Sequence, residues 1–364
     1  MKYSRRKFIS AVGKGSALLM LPSVSLFSNQ IFSQQDKKLG IALVGLGGYA
    51  TRQLAPALQE TKHCHLSGIV TGTPDKAVKW KREYNIPDEN IYNYENFDRI
   101  ADNKSIDIVY VVLPNSMHHE FTIRAAKAGK HVICEKPMGV SVKECEEMID
   151  ACKQAGVRLF VGYRLHFDPF HKTAMNFRND GHGKIKMVHS EFAFKIGDPN
   201  QWRLKKDLAG GGAMMDLGIY AVQAARYSTG EEPISVTAQE YKTDPVKFKE
   251  VDETIYWQME FPGGAASTSV TSYAAPANRL YIGAEEGWLE LRPAYSYRGI
   301  KGSTNEGNLI MPEVNQQALQ MDGMAKCIMD RCKSDADGEE GLKDLKVIEA
   351  IYKSIANKGR AVKV

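Results

Sequence analysis

Leu39-Gly40-Ile41-Ala42-Leu43-Val44-Gly45-Leu46-Gly47-Gly48-Tyr49-Ala50 is an apolar run that breaks into a glycine turn and then into a helical pattern reaching about residue 60. Within it, Gly45-x-Gly47-x-x-Ala50 stands between strand and helix, where a dinucleotide's pyrophosphate is cradled. Gly45 allows the tight turn and Gly47 lets the backbone approach the phosphates. Ala50 keeps helix and strand close, and the helix N-terminus faces the negative charge.

Downstream, apolar strands over 65–71, 106–113, 130–134 and 157–162 alternate with helical patterns over 75–84, 116–128 and 142–154. Strict alternation predicts a doubly wound parallel sheet. After Tyr163 the pattern changes. Alternating runs over 184–195, 234–242, 254–261 and 264–273 read as a large, mainly antiparallel sheet with one face covered. Helices over 170–178, 214–227, 315–332 and 340–357 accompany it. The expected fold is therefore α/β: an N-terminal Rossmann domain over 37–162, then a C-terminal α+β domain for substrate and oligomerisation over 163–364.

Upstream, Ser4-Arg5-Arg6-Lys7-Phe8-Ile9 and the apolar stretch over 11–27 read as a twin-arginine export signal. Lys14 interrupts that stretch, which is also short for a membrane anchor. Three small-residue sites compete for cleavage, so residues 1–36 are assigned to signal and short linker together. The expected location is periplasmic, with no membrane anchor after processing. The twin-arginine route carries proteins already folded, often around a cofactor, and an exported nucleotide enzyme would have to keep its nucleotide.

The formal net charge of +5 is accounted for by Lys2, Arg5, Arg6, Lys7 and Lys14, all in the leader. A neutral remainder without a basic run argues against nucleic acid as partner. The six cysteines show no zinc spacing, and Cys145 and Cys152 stand two turns apart on one helix. All six are read as free, and no metal site is expected.

The second strand ends Val70-Thr71-Gly72-Thr73 without the carboxylate that usually holds a ribose 2′-hydroxyl. A hydroxyl, a glycine and Lys76 suit a 2′-phosphate, so NADP is expected, with NAD as the alternative. The fifth strand ends Cys134-Glu135-Lys136-Pro137, which aims a glutamate and a lysine into the ligand crevice. Later, Ala209-Gly210-Gly211-Gly212-Ala213-Met214-Met215-Asp216-Leu217-Gly218-Ile219-Tyr220 puts Asp216 and Tyr220 one helical turn apart on one face. An unperturbed tyrosine ionises only near about 10, so a cation such as Lys136 is needed to favour its phenolate at neutral pH. Tyr220 would move the hydroxyl proton, and Asp216 would hold the sugar hydroxyl.

These residues carry a resemblance. The chain resembles the glucose-fructose oxidoreductase, inositol dehydrogenase and rhizopine-catabolism (Gfo/Idh/MocA) superfamily, whose hallmark is Glu135-Lys136-Pro137 with the pair Asp216 and Tyr220. Gly162-Tyr163-Arg164, Gln201-Trp202-Arg203-Leu204 and the tyrosine at 220 are most similar to the glucose-fructose oxidoreductase branch. The resemblance implies nucleotide contacts from Gly45, Leu46, Gly47, Tyr49, Thr71, Gly72, Lys76, Tyr94, Leu113, Asn115 and His118. It extends them to Glu135, Lys136, Arg164, Trp202 and Arg203, and gives catalytic roles to Lys136, Asp216 and Tyr220. It also implies small sugars as partners, and a homodimer or homotetramer. That branch has a proline-rich N-terminal arm, whereas residues 29–38 here contain no proline.

The expected activity is oxidation of a glucose-like aldose at C1 to a lactone on tightly bound NADP(H), followed by reduction of a fructose-like sugar to a polyol, in ping-pong fashion. The alternatives are an NAD-dependent glycosidase of the same superfamily and a dissociable NADP-dependent aldose dehydrogenase.

Overall fold

A computed structural model describes residues 38–364; the expected export signal lies outside the described residues. Strands β1 (Leu39–Val44), β2 (Cys64–Val70), β3 (Ile91–Tyr92), β4 (Ile108–Val111), β5 (His131–Cys134) and β6 (Leu159–Val161) form one parallel sheet in the order β3-β2-β1-β4-β5-β6. Residues 41–44 and 108–111 are wholly buried, as continuous apolar runs in a two-faced parallel sheet should be. The strand order reverses between β1 and β4, which opens a crevice above their carboxyl ends. The two-residue β3 is too short to show a period and was not legible in the sequence.

The second sheet contains β7 (Ile185–Ala193), β8 (Ser235–Tyr241), β9 (Thr254–Glu260), β10 (Ala266–Ser272), β11 (Ala277–Ala284), β12 (Trp288–Leu291), β13 (Gly302–Thr304), β14 (Gly307–Leu309) and β15 (Val362–Lys363). Its order is β14-β13-β12-β11-β7-β10-β9-β8-β15, antiparallel except where β10 runs beside β7. In β9, Ile255, Trp257 and Met259 face the core while Tyr256, Gln258 and Glu260 face outward. That period of two is what made this strand legible. The helix Ile219–Thr229 packs on β7, and the helix Gly338–Ala356 packs on β8.

The helix Gln316–Met329 returns to the first sheet. Gln320 Nε2 donates to the Tyr110 hydroxyl on β4 at 2.7 Å, and the Asp322 carboxylate accepts from the backbone of Lys62 and His63. The expectation that all six cysteines are free is corrected here. Cys327 and Cys332 form a disulfide with Cα atoms 4.9 Å apart, whereas Cys64, Cys134, Cys145 and Cys152 are free and buried. The helix stops at Met329, and Arg331 at φ 54° reverses the chain, which brings Cys332 back over the last turn. Spacing alone could not show that reversal. Among the described residues no helix is long and apolar enough to cross a membrane, and no group of three His, Cys, Asp or Glu is placed to hold a metal.

Two histidines make the fold acid-sensitive. His118 and His171 are wholly buried, and burial pulls each pKa down to about 4. Their folded values lie below the unfolded value, so the stabilisation is complete above about pH 6.5 and drains away as pH falls toward 4. Each should cost about 3 kcal/mol across that window. Urea unfolding midpoints measured from pH 7 to pH 4 should fall steeply, and His171→Gln should flatten the slope. An equally steep slope in that variant would contradict the assignment.

Candidate active site

The glycine turn builds the first cleft. Gly45 has φ +95°, and a Cβ there would lie 2.5 Å from the Val112 carbonyl oxygen. A Cβ on Gly47 would meet nothing within 4 Å. Gly45 is thus required by the protein's own backbone, whereas the space beside Gly47 is open for a ligand to approach. Gly45→Ala should lower the melting temperature. Gly47→Val should leave it unchanged and weaken reduced-nucleotide binding, read by fluorescence titration, by about tenfold or more, the scale of 1.4 kcal/mol. Equal binding by Gly47→Val and the wild type would remove the turn from the nucleotide site.

The cleft has a volume of about 540 Å³ and runs from residues 45–49 past Thr71, Thr73, Lys76 and Tyr94 to Leu113, Asn115, Glu135, Lys136, Trp202 and Arg203. At its ribose end stand Thr71, Thr73, Lys76 and Arg52. Arg52 was missed because it follows the fingerprint on a wide π-type turn, Ala50–Leu54, and helical spacing did not mark it out. Gly72 lies behind the wall. A Cβ there would touch the Tyr94 ring at 3.0 Å, so its absence lets Tyr94 close the cleft. His118 contributes to the floor, but Nδ1 faces the Pro137 carbonyl oxygen at 2.8 Å and Nε2 that of Leu113 at 2.9 Å. The neutral ring donates to one of these oxygens, and both nitrogens are turned to backbone and away from a ligand. Asn115 Nδ2 donates to the Ala209 carbonyl oxygen at 2.8 Å, which ties the floor to the second half of the chain. The open face at Gly47 and the hydroxyl and cationic side chains at the far end fit a dinucleotide.

At the other end of the cleft, Lys136 Nζ donates to Asp216 twice, to the carbonyl oxygen at 2.7 Å and to Oδ1 at 3.2 Å. The same nitrogen lies 4.8 Å from the Tyr220 ring centroid. Asp216 belongs to the π-type turn Met214–Gly218 that opens the helix Ile219–Thr229, which carries Tyr220. Its Oδ2 accepts from Arg203 Nε at 3.0 Å and from the Tyr273 hydroxyl at 3.0 Å. Burial alone would raise the Asp216 pKa; Lys136 and Arg203 outweigh it and hold the group at about 2. Burial likewise opposes the Lys136 charge, and Tyr220, Asp216 and Glu135 overcome it, so Lys136 stays protonated. Glu135 is pushed up by burial, and its Oε1 accepts from the Tyr110 hydroxyl at 2.6 Å. Gly162 leaves that carboxylate its room, since a Cβ there would fall 2.6 Å from Oε1.

A second cleft of about 470 Å³ opens on the other side of these groups, lined by Phe192, Phe194, Gln201, Leu217, Asn278, Tyr295, Ser296 and Arg164. Both clefts share Lys136, Arg203, Asp216, Tyr220 and Tyr297. Arg164, expected among the nucleotide contacts, lines only this second cleft. Its guanidinium is turned toward the second sheet's loops, where Nη2 donates to the Tyr295 carbonyl oxygen at 2.6 Å. Two further site residues went unrecognised in the sequence. Tyr273 directly follows β10, and Tyr297 sits in the loop after β12, stacked at 6.1 Å on Tyr49. Neither lies in a motif, and only the packing of the second sheet brings them to the crevice.

Family models and known proteins match most of this chain. Residues 39–163 match the model of an oxidoreductase family with an NAD-binding Rossmann fold (GFO_IDH_MocA), and residues 177–290 match the GFO/IDH/MocA C-terminal domain. The crystal structure of aldose-aldose oxidoreductase from Caulobacter crescentus, complexed with glycerol, is 46% identical in sequence. It covers 90% of this chain and 100% of its own, with a TM-score of 0.87. The D-xylose 1-dehydrogenase [NADP(+)] of Haloarcula marismortui is 28% identical over 88% of this chain and 91% of its own length. A 3-ketoreductase from Actinomadura kijaniata, solved with NADP and TDP-benzene, shares the fold at 20% identity, covering 88% of this chain and 98% of its own, with a TM-score of 0.76.

Proposed function

The chain belongs to the GFO/IDH/MocA oxidoreductase family, and from that premise we propose that this sugar oxidoreductase passes hydride from one sugar to another through a retained NADP(H). The observation that carries the reading is the wall shared by the two clefts: Lys136, Asp216 and Tyr220 face a nucleotide site on one side and a sugar-sized site on the other. A nicotinamide bound in the first cleft supplies the hydride acceptor and donor.

The protein's own groups supply the rest. In the first half-reaction the Tyr220 oxygen takes the proton of the C1 hydroxyl of an aldose, leaving a lactone. In the second it returns that proton to the carbonyl oxygen of the acceptor sugar. Lys136 places its charge over the ring of the tyrosine that carries the proton. Asp216 holds Lys136, Arg203 and Tyr273, and a carboxylate with about four acceptor positions keeps one for a sugar hydroxyl. Phe192, Phe194 and Tyr295 offer apolar faces to the C–H side of a sugar ring. Because both sugars use one cleft in turn, the kinetics are ping-pong. The similarity to an aldose-aldose oxidoreductase favours a second aldose as acceptor beside a fructose-like ketose.

Arg52 and Lys76 at the ribose end, with no carboxylate there, support NADP over NAD. The twin-arginine signal supports export to the periplasm. The outer face of the second sheet, with Met187, Tyr241 and Tyr256 each at least half exposed, supports a homodimer packed face to face.

The test is the reduced-nicotinamide absorbance of the purified protein with no nucleotide added. The expected trace rises with an aldose and falls again with the acceptor sugar. The similarity to an NADP-dependent xylose dehydrogenase favours one rival, a dissociable dehydrogenase. A flat trace that becomes steady turnover once NADP is supplied would establish that rival instead.

A further inference from the structure

The glycine run before Asp216 meets a demand that neither nucleotide nor sugar explains. A Cβ on Gly211 would fall 2.2 Å from the Tyr352 hydroxyl, and one on Gly212 would fall 2.0 Å from the Asp252 carbonyl oxygen. These two glycines therefore form a socket for residues that arrive from elsewhere in the chain. Asp252 comes from the loop between β8 and β9, and Tyr352 from the helix Gly338–Ala356.

Asp252 is buried, and both of its carboxylate oxygens are engaged. Oδ1 accepts from the Gly212 backbone N–H at 2.7 Å and from the Tyr352 hydroxyl at 2.7 Å. Oδ2 accepts from the Met214 backbone N–H at 2.8 Å. N–H groups at the start of a helical segment have no partner within it, and an acceptor must come from outside. The turn Met214–Gly218 has no side-chain cap of its own, because Ala213 stands where a capping side chain would be. Asp252 supplies that cap from forty residues along the chain. Its neighbour fixes the opposite wall: the Tyr273 backbone N–H donates to the Glu253 carbonyl oxygen at 2.9 Å. Residues 252 and 253 thus set two segments side by side, and their side chains meet where the Tyr273 hydroxyl donates to Asp216 Oδ2 at 3.0 Å.

We propose that Asp252, braced by Tyr352, is a positioning residue for the sugar site. It fixes the turn over 212–216, and with it the place of the Asp216 carboxylate between Lys136, Arg203 and Tyr273. The inference rests on the reading of Asp216 as the group that holds a sugar hydroxyl. Asp252 itself lines neither cleft and acts only through the backbone of Gly212 and Met214. Lys136 feels any shift of that turn twice, since it donates to both the carbonyl oxygen and Oδ1 of Asp216.

The experiment compares Asp252→Asn with the wild type by crystallography and by sugar kinetics on the full chain. Asparagine keeps the size and one acceptor, but sets its own N–H against one of the two backbone N–H groups. The Asp216 carboxylate should move away from Lys136 by about 1 Å, and kcat/KM for the aldose should fall by about 10- to 100-fold, the scale of such a misplacement. Nucleotide affinity should hold, because residues 45–49 and 71–76 are untouched. Asp216 in its wild-type place, or a wild-type kcat/KM, in a folded Asp252→Asn protein overturns the proposal. A lower melting temperature alone does not rescue it, because a cap that served only stability would give that result. Should Asp252→Asn not fold, Tyr352→Phe removes only the brace. It should lower kcat/KM by about threefold to tenfold, the scale of one hydrogen bond, and a wild-type value there overturns the proposal equally. A wild-type protein that turns over no sugar would sink the function proposed above, and the position of Asp216 in the variant would still decide this proposal by itself.

Discussion

Replacing Tyr220 with phenylalanine should lower kcat by about 10²- to 10⁴-fold, the range that a positioned acid–base group contributes. The melting temperature and nucleotide affinity should stay near their wild-type values. The ring is held edge-on by Phe192 at 5.3 Å and tilted against Tyr295 at 6.0 Å, and phenylalanine keeps both contacts. Only the hydroxyl is lost. Single-turnover reduction of the bound nucleotide by an aldose isolates the chemical step from sugar binding and product release. A rate within threefold of wild type would mean that some other group moves the proton, with water in the second cleft the first suspect.

The second large effect is expected from Lys136→Met, which changes both activity and stability. Turnover should fall by about 10³-fold or more, because the cation over the tyrosine ring is lost together with the donor that orients Asp216. Stability should fall by about 2 kcal/mol, because the buried Asp216 carboxylate keeps Arg203 but loses one of its two cations. Lys136 and Asp216 have side chains only 13% and 17% exposed, so solvent does little to relieve that charge. Adding Asp216→Asn to Lys136→Met should restore none of the activity, and its further effect on stability reads what the Arg203 pair with the carboxylate contributes. Urea midpoints for the four proteins of that cycle give the coupling directly. Strict additivity of the two substitutions would show that the ion pair seen here contributes nothing in solution.

Most of the nucleotide half was legible because its signals are local. The run from Leu39 to Ala50 places strand, turn and helix within twelve residues, and the structure keeps all three, with the helix opening as a π-type turn. The helix over 142–154 was read to the residue. Ser141 accepts from the Glu144 backbone at 3.2 Å and Glu144 accepts from that of Val140 at 2.9 Å, a reciprocal cap written in neighbouring residues. The strands between 277 and 309 escaped, because Gly283, Gly287 and Pro293 break any period in short, partly exposed segments. They hold their place only by pairing with β7 and with one another.

The site divides along the same line. By itself the sequence determined the chemistry on offer: a dinucleotide turn, a lysine at a strand end, and an aspartate and tyrosine one helical turn apart. Each is set by backbone geometry over a few residues. Only the tertiary structure decided which cleft each group serves. Arg164 stands three residues after a Rossmann strand, yet it lines the second cleft because carbonyl oxygens from residues 295 and 296 capture its guanidinium. Tyr273 and Tyr297 reach Asp216 and Tyr49 from the second sheet across more than fifty residues of chain. Contacts of that span depend on how two sheets pack, and no spacing along the sequence encodes them.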